Sequence, residues 1–373
     1  MKLLHLSDLH LGKRVYECSM LDEQRAILSQ TLDMAREADV TLIAGDLYDR
    51  PVPPAEAVAL LDDFLTRLSA QGSPVVMIAG NHDSAERIAF GSRLMDGRGV
   101  YVSPVYDGQP RRVTFHDEYG PVHIHLLPFV KPAHVRAALG REDIEGYTQA
   151  VAAAIAQMDI DPKARNVLLA HQYVTGAGRS ESEEVSVGGL DNVDAEVFAA
   201  FDYVALGHLH AAQSLEGGRV RYCGAPLAYA FSEAGREKGA LMVHLGQKGE
   251  LSVESRPFAP LHPLACVRGR FAQLCDPAAP VCESYVQVTL TDEDDVPDAA
   301  ARLRAIYPNL LQLLYDNTRT RAQQADFEHG AAAERSPLAL FEQLYAQQNG
   351  QEMDAAQRAL LAGMVERIWE DEA

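Results

Sequence analysis

MKLLHLSDLHLG (residues 1–12) holds the pattern that decides the fold. A short apolar run, residues 3–6, breaks into the polar cluster Ser7-Asp8-Leu9-His10. The pattern recurs. Residues 40–44 run into Gly45-Asp46, residues 75–79 into Gly80-Asn81-His82-Asp83, residues 167–170 into His171, and residues 201–206 into Gly207-His208-Leu209-His210. Short apolar runs bounded in this way read as buried strands. Helical patterns lie between them, over 21–38 and over 55–70, the second with Leu60, Leu61, Phe64, Leu65 and Leu68 on one face. Strands alternating with helices give an α/β layer architecture, whose ligands sit outside the carboxyl ends of the strands. Every polar cluster falls at such an end.

Residues 219–224 and 239–246 read as later strands of the same body. Prolines 257, 260 and 263 mark a boundary, so residues 1–258 are expected to form the main domain. Residues 259–317 alternate like strands around one helical pattern and read as a small α+β domain. A polar, Ala-rich linker is expected over 318–335, and amphipathic helices broken at Asn349-Gly350 over 336–373. Ser336-Pro337 supplies an N-cap and a first-turn proline. These helices carry apolar residues (Leu338, Leu340, Phe341, Leu344, Tyr345; then Leu360, Leu361, Met364, Val365, Ile368, Trp369) that two short helices cannot bury alone. The Gly- and Ser-rich loop 175–189 reads as a substrate-contacting loop or a plain flexible one.

The amino terminus carries histidines and aspartates inside its apolar run, so it reads as a strand, not a signal peptide. No stretch approaches the ~20 apolar residues of a membrane span, and a cytoplasmic location is expected. The five cysteines are odd in number and lack metal-type spacing, so they are expected to be reduced and structural. The formal charge of −20 argues against a nucleic-acid partner, which usually meets a basic surface.

The strand-end residues form one set: Asp8, His10, Asp46, Asn81, His171, His208 and His210. Imidazole with carboxylate suits manganese, iron, zinc and similar ions. Seven such groups exceed one tetrahedral site and fit two metals, with a central carboxylate bridging ions about 3.5–4 Å apart. In D-x-H and H-x-H on a strand, both side chains share a face. Gly45 and Gly80 precede ligands where backbone must approach closely. Any one of these residues alone reads as a cap or a core histidine; His5, His123 and His125 are read that way. The ordered set is not a chance pattern.

SDLHLG (7–12), AGDLYDR (44–50), AGNHDS (79–84), LGHLH (206–210) and RYCGAPLAYAFSE (221–233) together resemble the calcineurin-like metallophosphoesterase superfamily, in its double-strand-break repair nuclease branch. The blocks span residues 1 to about 245, and the likeness extends through the later segments. The resemblance implies a four-layer β-sandwich flanked by helices, with a small α+β capping domain that binds DNA. It implies one metal on Asp8, His10, Asp46 and His210, and a second on Asp46, Asn81, His171 and His208, with two Mn2+ favoured and Mg2+ or other divalent ions possible. His82 would act at the leaving oxygen. Some relatives carry a second histidine where this chain has Asp49, so Asp49 is expected to orient and charge His82 instead. Further implications are exonuclease and hairpin-opening endonuclease activity on DNA, an SbcC-type coiled-coil ATPase gripped by the C-terminal helices, and a homodimer built on helices near 55–70 and 84–96. Lys13 and Arg14, directly after the first block, are the favoured phosphate contacts among scattered basic residues. The alternative is a phosphatase or phosphodiesterase acting on a non-DNA substrate.

Overall fold

The computed structural model describes residues 1–178, 192–275, 283–321, 341–342, 344–346 and 351–371. Most of the 175–189 loop, most of the 318–335 linker, Cys282 and most of the first C-terminal helix therefore lie outside the described residues. In chain order the large sheets are built from β1 (Lys2–Leu6), β2 (Val40–Ala44), β3 (Val75–Ile78), β4 (Val100–Val102), β5 (Arg111–Asp117), β6 (Gly120–Leu127), β7 (Arg165–His171), β8 (Tyr203–Gly207), β9 (Gln213–Leu215), β10 (Val220–Tyr222), β11 (Gly239–Leu245) and β12 (Leu251–Pro257). One sheet runs β12-β11-β1-β2-β3-β4 and the other β9-β10-β8-β7-β6-β5.

Side-chain alternation makes the layers. Leu3, Val40, Leu42, Ala44, Val76 and Ile78 of the first sheet pack with Ile124, Leu126, Val167, Leu169 and Tyr203 of the second, which fills the space between the sheets. The opposite faces receive helices. Leu4, Leu6, Ile43 and Met77 meet Ile27, Leu32, Leu60 and Phe64 of α1 (Leu21–Ala35) and α2 (Ala55–Ala70). Leu168, Val204 and Leu206 meet Val135 and Val151 of α3 (Pro132–Leu139) and α4 (Tyr147–Ile155). The order is helix, sheet, sheet, helix, the four-layer sandwich that was expected. Strands buried on both faces explain the unbroken apolar runs.

β1, β2 and β3 are mutually parallel, as are β6, β7, β8 and β10. The polar clusters follow β1, β2 and β3 in one sheet and β7 and β8 in the other, all at the carboxyl ends of parallel strands. The helix expected over 21–38 stops at Ala35, with Arg36 as its C-cap.

A three-stranded sheet of Leu264–Gly269, Tyr285–Leu290 and Leu310–Tyr315 follows, with Val286, Val288 and Leu290 buried on one face. By proximity the chain divides into one unit of Met1–Thr289 with Asp298–Leu314, and another of Leu290–Pro297 with Tyr315–Ala373. The second unit contains the helix Ala355–Asp371, started by Asp354, whose carboxylate accepts from the Ala356 and Gln357 amides. Among the described residues no helix is long and apolar enough to cross a membrane, and Cys18, Cys223, Cys266 and Cys275 are unpaired thiols.

Candidate metal centre

The loops after β1 and β2 are laced together. Asp8 N–H donates to Gly45 O, His10 N–H to Asp46 O, Leu11 N–H to Leu47 O, and Asp49 N–H back to Leu11 O, at 3.0–3.2 Å. This lacing imposes an unusual backbone. Asp8, His10, Asp46 and His208 sit at φ of 54°, 45°, 51° and 102°. For residues with a Cβ, each such conformation costs on the order of 1–3 kcal/mol and persists only where its surroundings enforce it. Here it turns the side chains inward. Asp8, His10, Asp46, His171 and His210 are all buried.

The glycines allow the approach. A Cβ on Gly80 would overlap Asp46 Oδ1, and one on Gly45 would overlap His171 Nδ1. Asp83 supplies a third tie. Its carboxylate accepts from the Leu47 and Gly80 amides at 3.0 Å and from Tyr48 N–H at 2.9 Å, pinning the second polar cluster to the third. The short helix that follows is capped not by Asp83 but by Ser84, whose Oγ accepts from Arg87 N–H.

Ligand-type atoms of the expected set converge in overlapping groups. Among the described residues, Asp8 with His10 and His210, Asp8 with Asp46 and His171, and His10 with Asp46 and His82 each bring one such atom per residue within 4.8 Å of one another. Asp46 belongs to two of these groups. His10 Nε2 and His210 Nε2 lie 3.0 Å apart. Asn81 Oδ1 lies 2.9 Å from His171 Nε2 and 3.0 Å from His208 Nδ1. All seven expected residues meet in one place.

The donor chemistry fits divalent cations. His171 Nδ1–H donates to Ala44 O at 2.7 Å, which orients the ring and aims Nε2 at Asn81 Oδ1 and the centre of the site. Burial, reinforced by the charge of Asp46 and opposed by His171, pushes the Asp8 carboxyl up to about 7. For Asp46 burial works the same way, but the surrounding histidines, His171 first, hold its carboxyl far below the usual range. His171 is raised to about 9: burial opposes this, and the charges of Asp46 and Asp8 overcome it. Two buried carboxylates side by side demand positive charge, and a cation ringed by imidazoles supplies it.

His82 is half-buried. Its amide donates to Asp46 Oδ1 at 2.9 Å and its ring meets that of His10 edge-on at 4.8 Å. The expected pairing with the Asp49 carboxylate is not formed. His82 Nδ1–H donates to the Asp49 main-chain carbonyl at 3.1 Å, while the Asp49 carboxylate takes Lys13 Nζ at 2.7 Å and lies 3.7 Å from His10 Nδ1. The Lys13 ammonium, within reach of the carboxylate, makes the charge-assisted bond to it, and His82 meets the carbonyl instead. The same pair removes Lys13 as a free phosphate contact.

The setting-apart of the other histidines is borne out. His5 bonds Tyr203 Oη and Leu206 O inside the core, His123 bonds Thr114, and His125 bonds Asn166. Residues not foreseen surround the ligands. Gln24 donates to Leu9 O and His10 O, Tyr229 Oη donates to Leu9 O, and Lys238 Nζ donates to His210 O. Glu233, buried beside Lys238 at 2.7 Å, stands 3.9 Å from His210 Nδ1. The only sequence signal for these residues was the block 221–233, which carries Tyr229 and Glu233.

Comparison with known proteins agrees with this geometry. Residues 1–212 match the calcineurin-like phosphoesterase family, and residues 260–349 match a domain described as the type 5 capsule protein repressor C-terminal domain. The D component of the nuclease SbcCD from Staphylococcus epidermidis is 30% identical over 368 residues, covering 96% of each chain. A solved Thermus thermophilus structure aligns with 68% of this chain and 98% of its own at 14% identity, with a TM-score of 0.38. The family implies a divalent metal cofactor and hydrolysis of phosphate esters, and the residues gathered here suit both. With its first 212 residues in the phosphoesterase family and nearly its whole length matched by that nuclease component, the chain belongs to the calcineurin-like phosphoesterases, in their SbcD nuclease branch.

Proposed function

We propose that the chain is a two-metal DNA nuclease, a double-strand exonuclease and a single-strand and hairpin endonuclease, working with Mn2+ in DNA repair and recombination. The observation that carries this is the meeting of Asp8, His10, Asp46, His171 and His210, from four strand ends, in overlapping groups, with Asn81 Oδ1 set between His171 and His208. Asp8, His10, Asp46 and His210 would hold one ion, and Asp46, Asn81, His171 and His208 the other, with Asp46 bridging. Bound ions supply Lewis acidity and an activated nucleophile. The chain's own residues do the rest. The strained loops and Asp83 fix the ligands before substrate arrives. His82, tethered through Nδ1–H to the Asp49 carbonyl, leaves Nε2 for the substrate; in its imidazolium form it would give the Nε2 proton to the leaving oxygen and end as the neutral Nδ1–H tautomer.

We assign residues 259–317 to a DNA-binding cap, and 336–373, after the 318–335 linker, to an SbcC-type coiled-coil ATPase in the cytoplasm. Phe341, Leu344, Leu360 and Met364 are about half exposed or more, an apolar face that suits a partner helix. Phe90 and Leu94, 85% and 86% exposed after the third polar cluster, suit the homodimer.

The test is wild type and His82→Ala on duplex, single-stranded and hairpin DNA, with and without manganese, beside a chromogenic phosphodiester. Wild type should release nucleotides only with the metal, and His82→Ala should bind manganese yet cleave about 100-fold slower or worse. Ester turnover with intact DNA would replace the nuclease by a phosphodiesterase of another substrate. Equal cleavage by His82→Ala would remove the assigned role.

A further inference from the structure

The connector between the main body and the 264–315 sheet is not a slack tether. Gln30 brackets Ala259, accepting from its amide at 2.9 Å and donating to its carbonyl at 2.7 Å. Earlier on α1, the Glu23 carboxylate is 1% exposed and accepts from Leu261 N–H at 2.8 Å, His262 N–H at 3.1 Å and His262 Nδ1 at 2.6 Å. A carboxylate so buried is satisfied only while the connector stays seated.

The adjacent residue faces the metal centre. Gln24, also buried, donates to His10 O at 2.7 Å and Leu9 O at 3.3 Å, and accepts from Gly12 N–H at 3.0 Å. A second route runs in parallel. Phe258 N–H donates to Lys238 O at 2.8 Å, and Lys238 Nζ donates to His210 O at 2.8 Å. The connector is therefore tied through the neighbours Glu23 and Gln24 to the His10 loop, and through Lys238 alone to the His210 loop. These two histidines are proposed for the same ion.

We infer that Glu23 and Gln24 are a positioning pair which, with Lys238, sets the geometry of the His10–His210 metal position according to how the connector is seated. A nucleic acid engaging the cap would thereby tune that ion more strongly than the one at His171 and His208, which shares only Asp46 with it. The inference rests on the proposed metal assignment. Displacing the connector should shift His10 and His210 together, because both ties originate within residues 258–262.

The test titrates manganese calorimetrically into the full chain of wild type, Gln24→Ala, Glu23→Gln and His262→Ala, with metal-free melting temperatures and hydrogen exchange over residues 8–12. Gln24→Ala should weaken one of the two binding steps about 10-fold or more, leaving the other in place. Glu23→Gln and His262→Ala should weaken the same step about threefold, speed exchange over 8–12, and combine with Gln24→Ala by less than the product of the single effects. His262 is partly exposed, so its variant keeps a fold if Glu23→Gln does not. Wild-type binding and exchange in Glu23→Gln and His262→Ala would overturn the inference while leaving the metal centre intact. A wild type that takes up no manganese would overturn the metal assignment, and the inference with it.

Discussion

Replacing Asp83 by Asn tests whether the metal loops are held together by one buried carboxylate. The carboxylate receives three amides, two on Oδ2 and one on Oδ1. An amide side chain has one oxygen. Placed at the Oδ2 position it keeps Leu47 and Gly80 but turns NH2 against the Tyr48 N–H; flipped, it loses two partners instead of one. The cheaper arrangement forfeits one hydrogen bond to a charged acceptor, about 1.5–3 kcal/mol, and leaves a donor facing a donor, about 1 kcal/mol more. A loss of roughly 2.5–4 kcal/mol is survivable against a typical stability of about 5–15 kcal/mol. It falls, however, on the two loops that carry Asp46 and Asn81. Urea unfolding should show the loss in the midpoint at unchanged slope, and manganese affinity should drop about 10- to 100-fold, the usual effect of removing a residue that supports ligands. An Asp83→Asn protein within about 0.5 kcal/mol of wild type, with wild-type manganese affinity, would refute the reasoning.

Gly80→Ala should retain the fold by circular dichroism but lose manganese binding at least tenfold by calorimetry, since its Cβ overlaps Asp46 Oδ1 and crowds its main-chain nitrogen. Asp117→Asn should cost about 2 kcal/mol near neutrality by breaking the pair with Arg165, less than the roughly 3–5 typical of a fully buried pair because Asp117 is 18% exposed. Arg165 holds that carboxyl well below the usual range. Its contribution is therefore complete above the unfolded value of about 3.9 and fades as pH falls below it, so wild-type and variant melting temperatures should converge on acidification. Phe90→Asp with Leu94→Asp should turn a dimer into a monomer in sedimentation and remove any dependence of the melting temperature on protein concentration, while circular dichroism keeps the fold, because both side chains lie almost fully in solvent in the single chain.

The site was legible because its chemistry is local. Each ligand follows a strand that is apolar on both faces, so the change from Leu6 to Ser7-Asp8, or from Ile43-Ala44 to Gly45-Asp46, marks both the strand end and the ligand. What stayed hidden depends on distant pairing. The pairing of β1 with β11, at opposite ends of the main body, is like the split into two sheets a long-range choice that local pattern does not encode. Left-handed backbone at Asp8, His10, Asp46 and His208 is equally invisible, since it is imposed by the neighbouring loop and not by these residues' own preferences. The misreading of Asp49 has the same origin. The resemblance placed Asp49 beside His82, but which of its groups His82 meets was decided by Lys13, 36 residues before Asp49, which takes the carboxylate and leaves the carbonyl. Gln24 and Glu23 look like ordinary first-turn polar residues of an amphipathic helix until the loops they bond are folded against them.

The charge of −20 now has a sharper meaning. Asp8, Asp46, Asp49 and Asp83 crowd around the ligand set, and the nearby ammonium groups are already engaged, Lys13 with Asp49 and Lys238 with Glu233. A phosphodiester approaching these residues by themselves would meet an acidic mouth in a low-dielectric wall, where repulsion is strongest. Two divalent cations would bring four positive charges to a cluster in which Lys13 already balances Asp49, and in such a site the ions' own charge governs the local field. Acidity at the centre is thus what a site must have to hold two cations, and it argues against a polyanionic substrate only if the cations are left out of the account. It also orders the events: metal first, substrate second. The acidity elsewhere on the chain is a separate matter, since it lies outside this balance.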